Sequence, residues 1–177
     1  MEENYKLEKE YTIPIDVFRE AYTSFQKQFI CPKHNLFMGI FCVIAVVFIG
    51  IAVNNTSNYL PYVGALACLA FAAREWYNPK KMRRSICDSV RELGEPVYKI
   101  GVADGFFDIS TVSDDKVKPE NDEDDIEPLP EKTRIQRSDE YQLLEYDKYF
   151  LILPDRASLY VLPKKGFTDA ELDMIRN

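Results

Sequence analysis

Few residues of this chain have side chains suited to catalysis. His34 is its only histidine, three positions after Cys31. A Ser-His-Asp or Cys-His arrangement would need this one ring, so an enzyme of that kind would lose its function in the His34→Ala variant. His34 stands just before a long apolar segment, where a histidine is expected to contact lipid headgroups rather than act as a base. We therefore expect no catalytic residue and no enzymatic activity.

The sequence also predicts neither a cofactor nor a metal site. The 4 cysteines are dispersed and lack zinc-site spacing, and the chain has neither of the glycine-rich motifs GxGxxG and GxxxxGK[ST]. The acidic run Asp122–Asp125 lacks the glycine and the final glutamate of an EF-hand. Segment 113–131, with its prolines and acidic residues, is therefore predicted to be a solvated loop.

Basic residues form two candidate binding surfaces. The first contains Lys80, Lys81, Arg83 and Arg84. Each of these residues would contribute about 1 kcal/mol at an anionic membrane surface, although they could equally serve only to set membrane topology. The second contains Lys164, Lys165 and Phe167, for which a solvated strand end is the alternative interpretation.

Two apolar segments predict a transmembrane hairpin over residues 36–77. The first, 36–53, has 18 residues without a charge, which is about 27 Å of helix against a hydrocarbon core of about 30 Å. The second, 59–76, has similar length and carries Arg74 and Glu75 near its end, where an arginine can snorkel. A pair of buried core helices is the alternative. Neither segment has a charge in its middle, which argues against a transporter.

The charges that flank the two segments predict the topology. Lysines precede the first segment, the basic run 80–84 follows the second, and the connecting loop has no charge. By the positive-inside rule, both termini lie in the cytoplasm of a cell-membrane protein with two spans.

Small residues recur in the second segment at Gly64, Cys68 and Ala72. This spacing lets helices approach closely. The face is expected to pack on the first segment, or alternatively on a partner helix of a homo-oligomer or a larger membrane complex.

The flanking segments predict an α+β domain. Residues 1–35 are expected to form a strand and an amphipathic helix ending near Cys31-Pro32. Residues 78–177 are expected to begin with a helix at Asn78-Pro79 that Gly94 closes. The alternating apolar pattern then predicts strands around a turn at Asp104-Gly105 and a meander after residue 141. We expect about seven strands in one strongly bent antiparallel sheet, closed by a C-terminal helix with a capping box at Thr168–Glu171.

This order of elements resembles the YcxB-like family of small bacterial membrane proteins, which have a cytoplasmic YcxB-like domain. The matching segments are Tyr11–Phe18, Asn78-Pro79, Tyr141–Glu145 and Leu159–Phe167, the last being the most characteristic. The chain departs from the family in its long acidic loop and in having no tryptophan in the strand region before Tyr141. The resemblance implies a fold with the element order of pleckstrin-homology (PH)-like domains, and it implies no catalytic residue.

Together these features predict a membrane protein of the bacterial inner membrane that acts by binding. Its partner would be lipid headgroups or a protein, and the alternative is an accessory subunit or regulator of a larger membrane complex. Residues 92–177 carry a net charge of −10. An acidic half of this size argues against nucleic acid as a partner, because such proteins need a basic surface.

Overall fold

The computed structural model describes residues 5–94, 96–103, 105–112, 132–137, 141–155 and 158–176. The chain divides into two compact units. The sheet unit comprises Met1–Ala21 and Val90–Asn177, and the helical unit comprises Tyr22–Ser89. The predicted acidic loop 113–131 lies outside the described residues.

Four α-helices and seven strands are described. The helices are α1 (Ile15–Phe25), α2 (Cys31–Asn54), α3 (Leu60–Glu92) and α4 (Asp169–Arg176), with a π-helical turn at Gln26–Ile30. The strands are β1 (Leu7–Thr12), β2 (Val97–Ala103), β3 (Phe106–Val112), β4 (Lys132–Gln136), β5 (Gln142–Glu145), β6 (Tyr149–Leu153) and β7 (Tyr160–Pro163). The predicted α+β class, the seven strands and the C-terminal helix are confirmed.

The strands form two antiparallel sheets, not the single bent sheet that we predicted. One sheet has the order β1-β2-β3-β4 and the other the order β5-β6-β7. The reason is that each sheet needs its apolar face covered, and two facing sheets cover each other. Ile100 and Phe107 of the first sheet join Phe150 and Ile152 of the second in one buried cluster.

The turn between β2 and β3 follows the sequence pattern. Ala103 pairs with Phe106, so two residues connect the strands, as expected for an Asp-Gly turn. Gly105 has a φ of 88°, a left-handed conformation that glycine adopts without steric cost.

Helix α4 begins with the predicted capping box. The backbone N–H of Thr168 donates to Glu171 Oε2 at 2.6 Å, and the N–H of Glu171 donates to Thr168 Oγ1 at 3.4 Å. Two N–H groups of the first turn are satisfied in this way. Leu172 and Ile175 then enter the buried cluster, so α4 closes the core as predicted.

The predicted helix end at Cys31-Pro32 is wrong, because helical structure continues from Ile15 to Asn54. The π-helical turn precedes Cys31, and Pro32 falls in the first turn of α2. Proline has no backbone N–H to donate, and Pro32 closely follows the π-helical turn, where the regular hydrogen bonding of the α-helix is already interrupted.

The predicted helix start at Asn78-Pro79 is also wrong, because Pro79 lies inside α3. Proline cannot donate to the carbonyl four residues earlier, so its place within a helix has a cost. The buried side chain of Gln26 contacts the helix at this point, where its Nε2 donates to the Pro79 carbonyl at 2.9 Å. The predicted end of this helix is correct, since Gly94 follows it with a φ of 78°.

Among the described residues, one helical stretch is long and apolar enough to cross a membrane. It is Ile15–Asn54, and 11% of its most apolar window is buried. The predicted second span does not reach the same standard. Its apolar part stops at Arg74 after 14 residues, about 21 Å of helix.

We expect Phe107→Ala to lower the free energy of unfolding by about 3–5 kcal/mol, because the ring is fully buried between the sheets. Leu93→Ala is the control, since Leu93 is 69% exposed. Chemical denaturation of the detergent-solubilised chain, followed by near-ultraviolet circular dichroism, measures both. Equal effects of the two substitutions would contradict the assignment of this core.

Candidate functional site

The first basic cluster lies on α3, in the turns that directly follow the buried Pro79. Its residues are Lys80, Lys81, Arg83 and Arg84. Three of them contact other groups of the chain. The ammonium of Lys80 lies 3.2 Å from the centroid of the Trp76 ring, Arg83 donates to Thr23 Oγ1 at 3.3 Å, and Arg84 lies 3.7 Å from Asp88. Lys81 lines a cavity of about 360 Å³ instead.

His34 lies on the wall of the same cavity. Its Nδ1 is 2.6 Å from Glu75 Oε2, and both side chains are largely shielded from solvent, with 27% and 18% exposure. This contact joins the first turn of α2 to the part of α3 just before Pro79. Sequence reasoning placed His34 at the edge of the apolar segment but did not predict its pairing with Glu75, because the two residues are 41 positions apart.

The small-residue face of α3 packs within the chain at two of its three positions. A Cβ atom on Gly64 would lie 3.1 Å from the Phe48 ring of α2, and Ala72 is buried. Cys68 is half-buried. Further contacts link the same two helices: Phe41 stacks on Phe71 with 5.4 Å between ring centroids. The side of α3 that bears Gly64 therefore faces α2.

The second basic cluster belongs to the sheet unit. Lys164 donates to Glu145 Oε1 at 2.7 Å, and two bonds from Arg176 reach the same carboxylate. Hydrogen bonds from Arg176 and Lys164 lower the pKa of Glu145 to about 2. Lys165 is exposed. Phe167 packs against the buried cluster, with its ring 6.4 Å from that of Tyr11. Lys164 and Phe167 thus have structural contacts, and Lys165 alone projects without one that the structure records.

A third polar cluster, which sequence reasoning missed, surrounds Asp108 on the outer face of the first sheet. Asp108 is 3% exposed. Its carboxylate accepts two bonds from Arg134 at 2.9 Å and one from the Tyr5 hydroxyl at 2.7 Å. Lys132 lies 3.0 Å away. The one signal in the sequence was the alternation of β3. Because Phe107 and Ile109 point to the core, Asp108 between them must point to the outer face.

The donors around Asp108 decide its charge state. Burial alone would raise the pKa of this carboxyl, but hydrogen bonds from Arg134, Tyr5 and Lys132 outweigh burial and hold the pKa well below its usual range. Gly101 makes room for the Tyr5 ring, because a Cβ atom there would lie 2.7 Å from a ring carbon. A carboxylate held by so many donors is a structural ion, poorly suited to accept a proton from a substrate.

Among the residues that the structure describes, no group of three or more His, Cys, Asp or Glu side chains could hold a metal ion. No protein-family model matches the chain, and no curated protein or solved structure matches it either.

We expect Gly64→Leu to weaken the packing of α2 on α3 and to destabilise the helical unit by about 1–3 kcal/mol, because the added side chain must displace the Phe48 ring. Gly50→Leu is a matched control, since no atom lies within 4 Å of a Cβ placed there. The midpoint of thermal unfolding in detergent measures both variants. A Gly50 variant that is as unstable as the Gly64 variant would contradict this packing.

We expect Asp108→Asn to lower the free energy of unfolding at neutral pH by about 1–2 kcal/mol, because two cations lose their shared carboxylate while remaining about two-fifths exposed. A lowered pKa contributes stability above the unfolded value of about 3.9, and that stability is lost as the pH falls further.

Denaturation of the full chain at pH 7 and at pH 3 tests this expectation. The difference between wild type and variant should shrink at pH 3. Glu10→Gln removes an exposed carboxylate from β1 and should have little effect at either pH. A difference between wild type and Asp108→Asn that does not change with pH would show that the charge of Asp108 is not what stabilises the sheet.

Proposed function

We propose that the chain is an integral membrane protein whose sheet unit is a cytoplasmic binding module without catalytic activity. The observation that carries this proposal is the exposed apolar surface of α2. Val43, Val46 and Val53 are each at least 65% exposed, and the helix has no charge from Leu36 onwards. A continuous apolar surface of this kind is stable in hydrocarbon and prone to aggregation in water.

The second half of the proposal is that residues 36–53 and 59–76 form a two-span hairpin. Leu66 of α3 is 68% exposed, and α3 packs on α2 through Gly64. Its short apolar part is compatible with a span if Arg74 snorkels to the interface and the bilayer thins locally. Glu75 would not enter the boundary as an isolated charge, because it pairs with His34.

The proposed orientation follows from the charges that flank the hairpin. The loop between α2 and α3 has no charge, whereas Lys27 and Lys33 precede the apolar part of α2 and the basic cluster follows the apolar part of α3. The positive-inside rule then places the sheet unit in the cytoplasm. Trp76 and Tyr77, both more than half exposed, suit the aromatic belt at that interface.

The sheet unit supports a PH-like, YcxB-type assignment. Antiparallel sheets of four and three strands, followed by a C-terminal helix, have the element order expected from the resemblance to the YcxB-like family. Likeness of fold does not determine function. The step to function rests on the basic cluster of α3, which lies directly after the proposed hairpin and would meet anionic headgroups there.

We expect substitution of all four basic residues of α3 by glutamine to weaken the association with anionic lipid. The full chain is placed in nanodiscs that contain phosphatidylcholine and phosphatidylglycerol. Native mass spectrometry then counts the phosphatidylglycerol molecules that the released protein retains. The wild type should retain this lipid in preference to phosphatidylcholine, and high salt should weaken that preference. The quadruple variant should lack the preference at either salt concentration.

Two controls are needed, one for a general loss of positive charge and one for a change of membrane orientation. Lys164→Gln with Lys165→Gln removes two positive charges from the sheet unit and should leave lipid retention unchanged. Protease protection of the sheet unit in sealed vesicles tests orientation in each variant. If the wild type itself showed no preference for anionic lipid, headgroup binding would be wrong, and the alternative of a subunit in a larger membrane complex would replace it.

A further inference from the structure

The cavity lined by His34 and Lys81 has both polar and apolar side chains in its wall. It measures about 360 Å³ and lies within the helical unit. Its polar lining is His34, Lys81, Asn78 and Ser85, and its apolar lining includes Met82 and Ile86. Groups that can donate hydrogen bonds therefore stand beside a surface that can contact hydrocarbon.

The polar groups suit a phosphate. The Lys81 ammonium supplies a full positive charge, and Ser85 and Asn78 supply neutral donors. Glu75 occupies Nδ1 of His34, which leaves Nε2, on the opposite edge of the ring, for a ligand; Nε2 donates to a phosphate when both ring nitrogens carry a proton. Bonds from several donors to one ionised phosphate are stronger than bonds between neutral groups.

Lys81 differs from the other three basic residues of its cluster. Lys80 lies over the Trp76 ring, Arg83 donates to Thr23, and Arg84 pairs with Asp88. Lys81 is the one member of the cluster in the lining of the cavity. The sequence alone treats these four charges as equivalent, but the structure separates one of them from the rest.

The walls of the cavity are held in place by contacts on both helices. Gln26 donates to the carbonyl of Pro79, itself a lining residue, at 2.9 Å. The contact of His34 with Glu75 joins α2 to α3 on another side. A site built on two helices that are joined in this way loses little conformational entropy when a ligand binds.

We propose that this cavity binds the phosphate group of a single anionic phospholipid, with Lys81 and His34 on the phosphate and the glycerol and acyl part over Met82 and Ile86. The inference rests on the proposed function, because it requires the cavity to lie at the membrane surface. A phospholipid fits better than free phosphate because Met82 is 49% exposed beside the polar groups, and a soluble anion would leave that surface in water.

The test compares single substitutions in the full chain by the same nanodisc and native mass spectrometry measurement. Lys81→Gln should lower the retention of one phosphatidylglycerol molecule about tenfold, as expected for the loss of a charged hydrogen bond. Lys80→Gln, one position earlier in the chain, removes a charge of the same cluster that lies over the Trp76 ring and not in the cavity lining, and it should lower retention clearly less than Lys81→Gln. His34→Gln should reduce retention in the same direction as Lys81→Gln.

The outcomes distinguish the site from the general function. If wild type prefers phosphatidylglycerol but the Lys80 and Lys81 variants lose it equally, attraction is spread over the surface and the site is wrong, while the proposed function stands. A wild type without any preference overturns both. Misfolding of a variant could also lower its lipid retention. Ser85→Ala addresses this, because it removes only a hydroxyl, should not disturb folding, and should still lower retention if the site is correct. Unchanged retention in Ser85→Ala and Lys81→Gln together would overturn the site.

A competition arm separates lipid from free anion. Inorganic phosphate, added in excess before release of the protein, should not displace the retained phosphatidylglycerol. Displacement by phosphate alone would show that the cavity recognises a soluble anion, which would overturn the assignment of a phospholipid.

Discussion

The apolar side chains of helix α2 impose the constraint on which the rest of the structure depends. Most of them project away from the described chain, and only Ala45 and Ala52 of this helix are buried. Water cannot solvate such a surface favourably, because each buried CH₂ group is worth about 0.8 kcal/mol. An apolar environment at α2 is therefore what our proposal of a membrane span supplies.

The helical unit is inserted into the sheet unit between two strands that are hydrogen-bonded neighbours. Thr12 at the end of β1 pairs with Val97 at the start of β2, and the whole helical unit lies between them in sequence. The entropy cost of closing such a loop grows only slowly with its length. A ladder of six paired positions between β1 and β2 can therefore be maintained across a long insertion. This explains how one chain can place a long helical unit inside a domain without dividing its core.

Local signals in the sequence predicted the parts of the fold that depend on few residues. The Asp104-Gly105 turn, the capping box at Thr168 and the end of α3 at Gly94 each depend on backbone preferences that act within four positions. The same kind of reasoning failed at Pro79. A proline after an asparagine is a typical helix start. Here the proline lies within a continuous helix, and its carbonyl accepts a hydrogen bond from the distant side chain of Gln26. No local pattern could indicate a contact across 53 positions.

The candidate sites divide in the same way. The sequence identified the basic residues of α3 as a group, since their position after an apolar segment can be read directly from the order of residues. It could not rank them, because ranking depends on which of them contact Trp76, Thr23 or Asp88 in three dimensions.

Asp108 illustrates the converse. A lone carboxylate in a strand has no visible partner in sequence, yet folding brings Tyr5, Lys132 and Arg134 to it from strands and segments far along the chain. Charged side chains on a sheet face are usually solvated, and a carboxylate is buried there only when several donors replace its water. The cluster around Asp108 satisfies that condition, and it ties together β3, β4 and the segment before β1. Asp108 pairs with Gly101 of β2, which in turn pairs with Glu8 of β1, so the charge of Asp108 fixes β3 to β4 and to the segment that leads into β1.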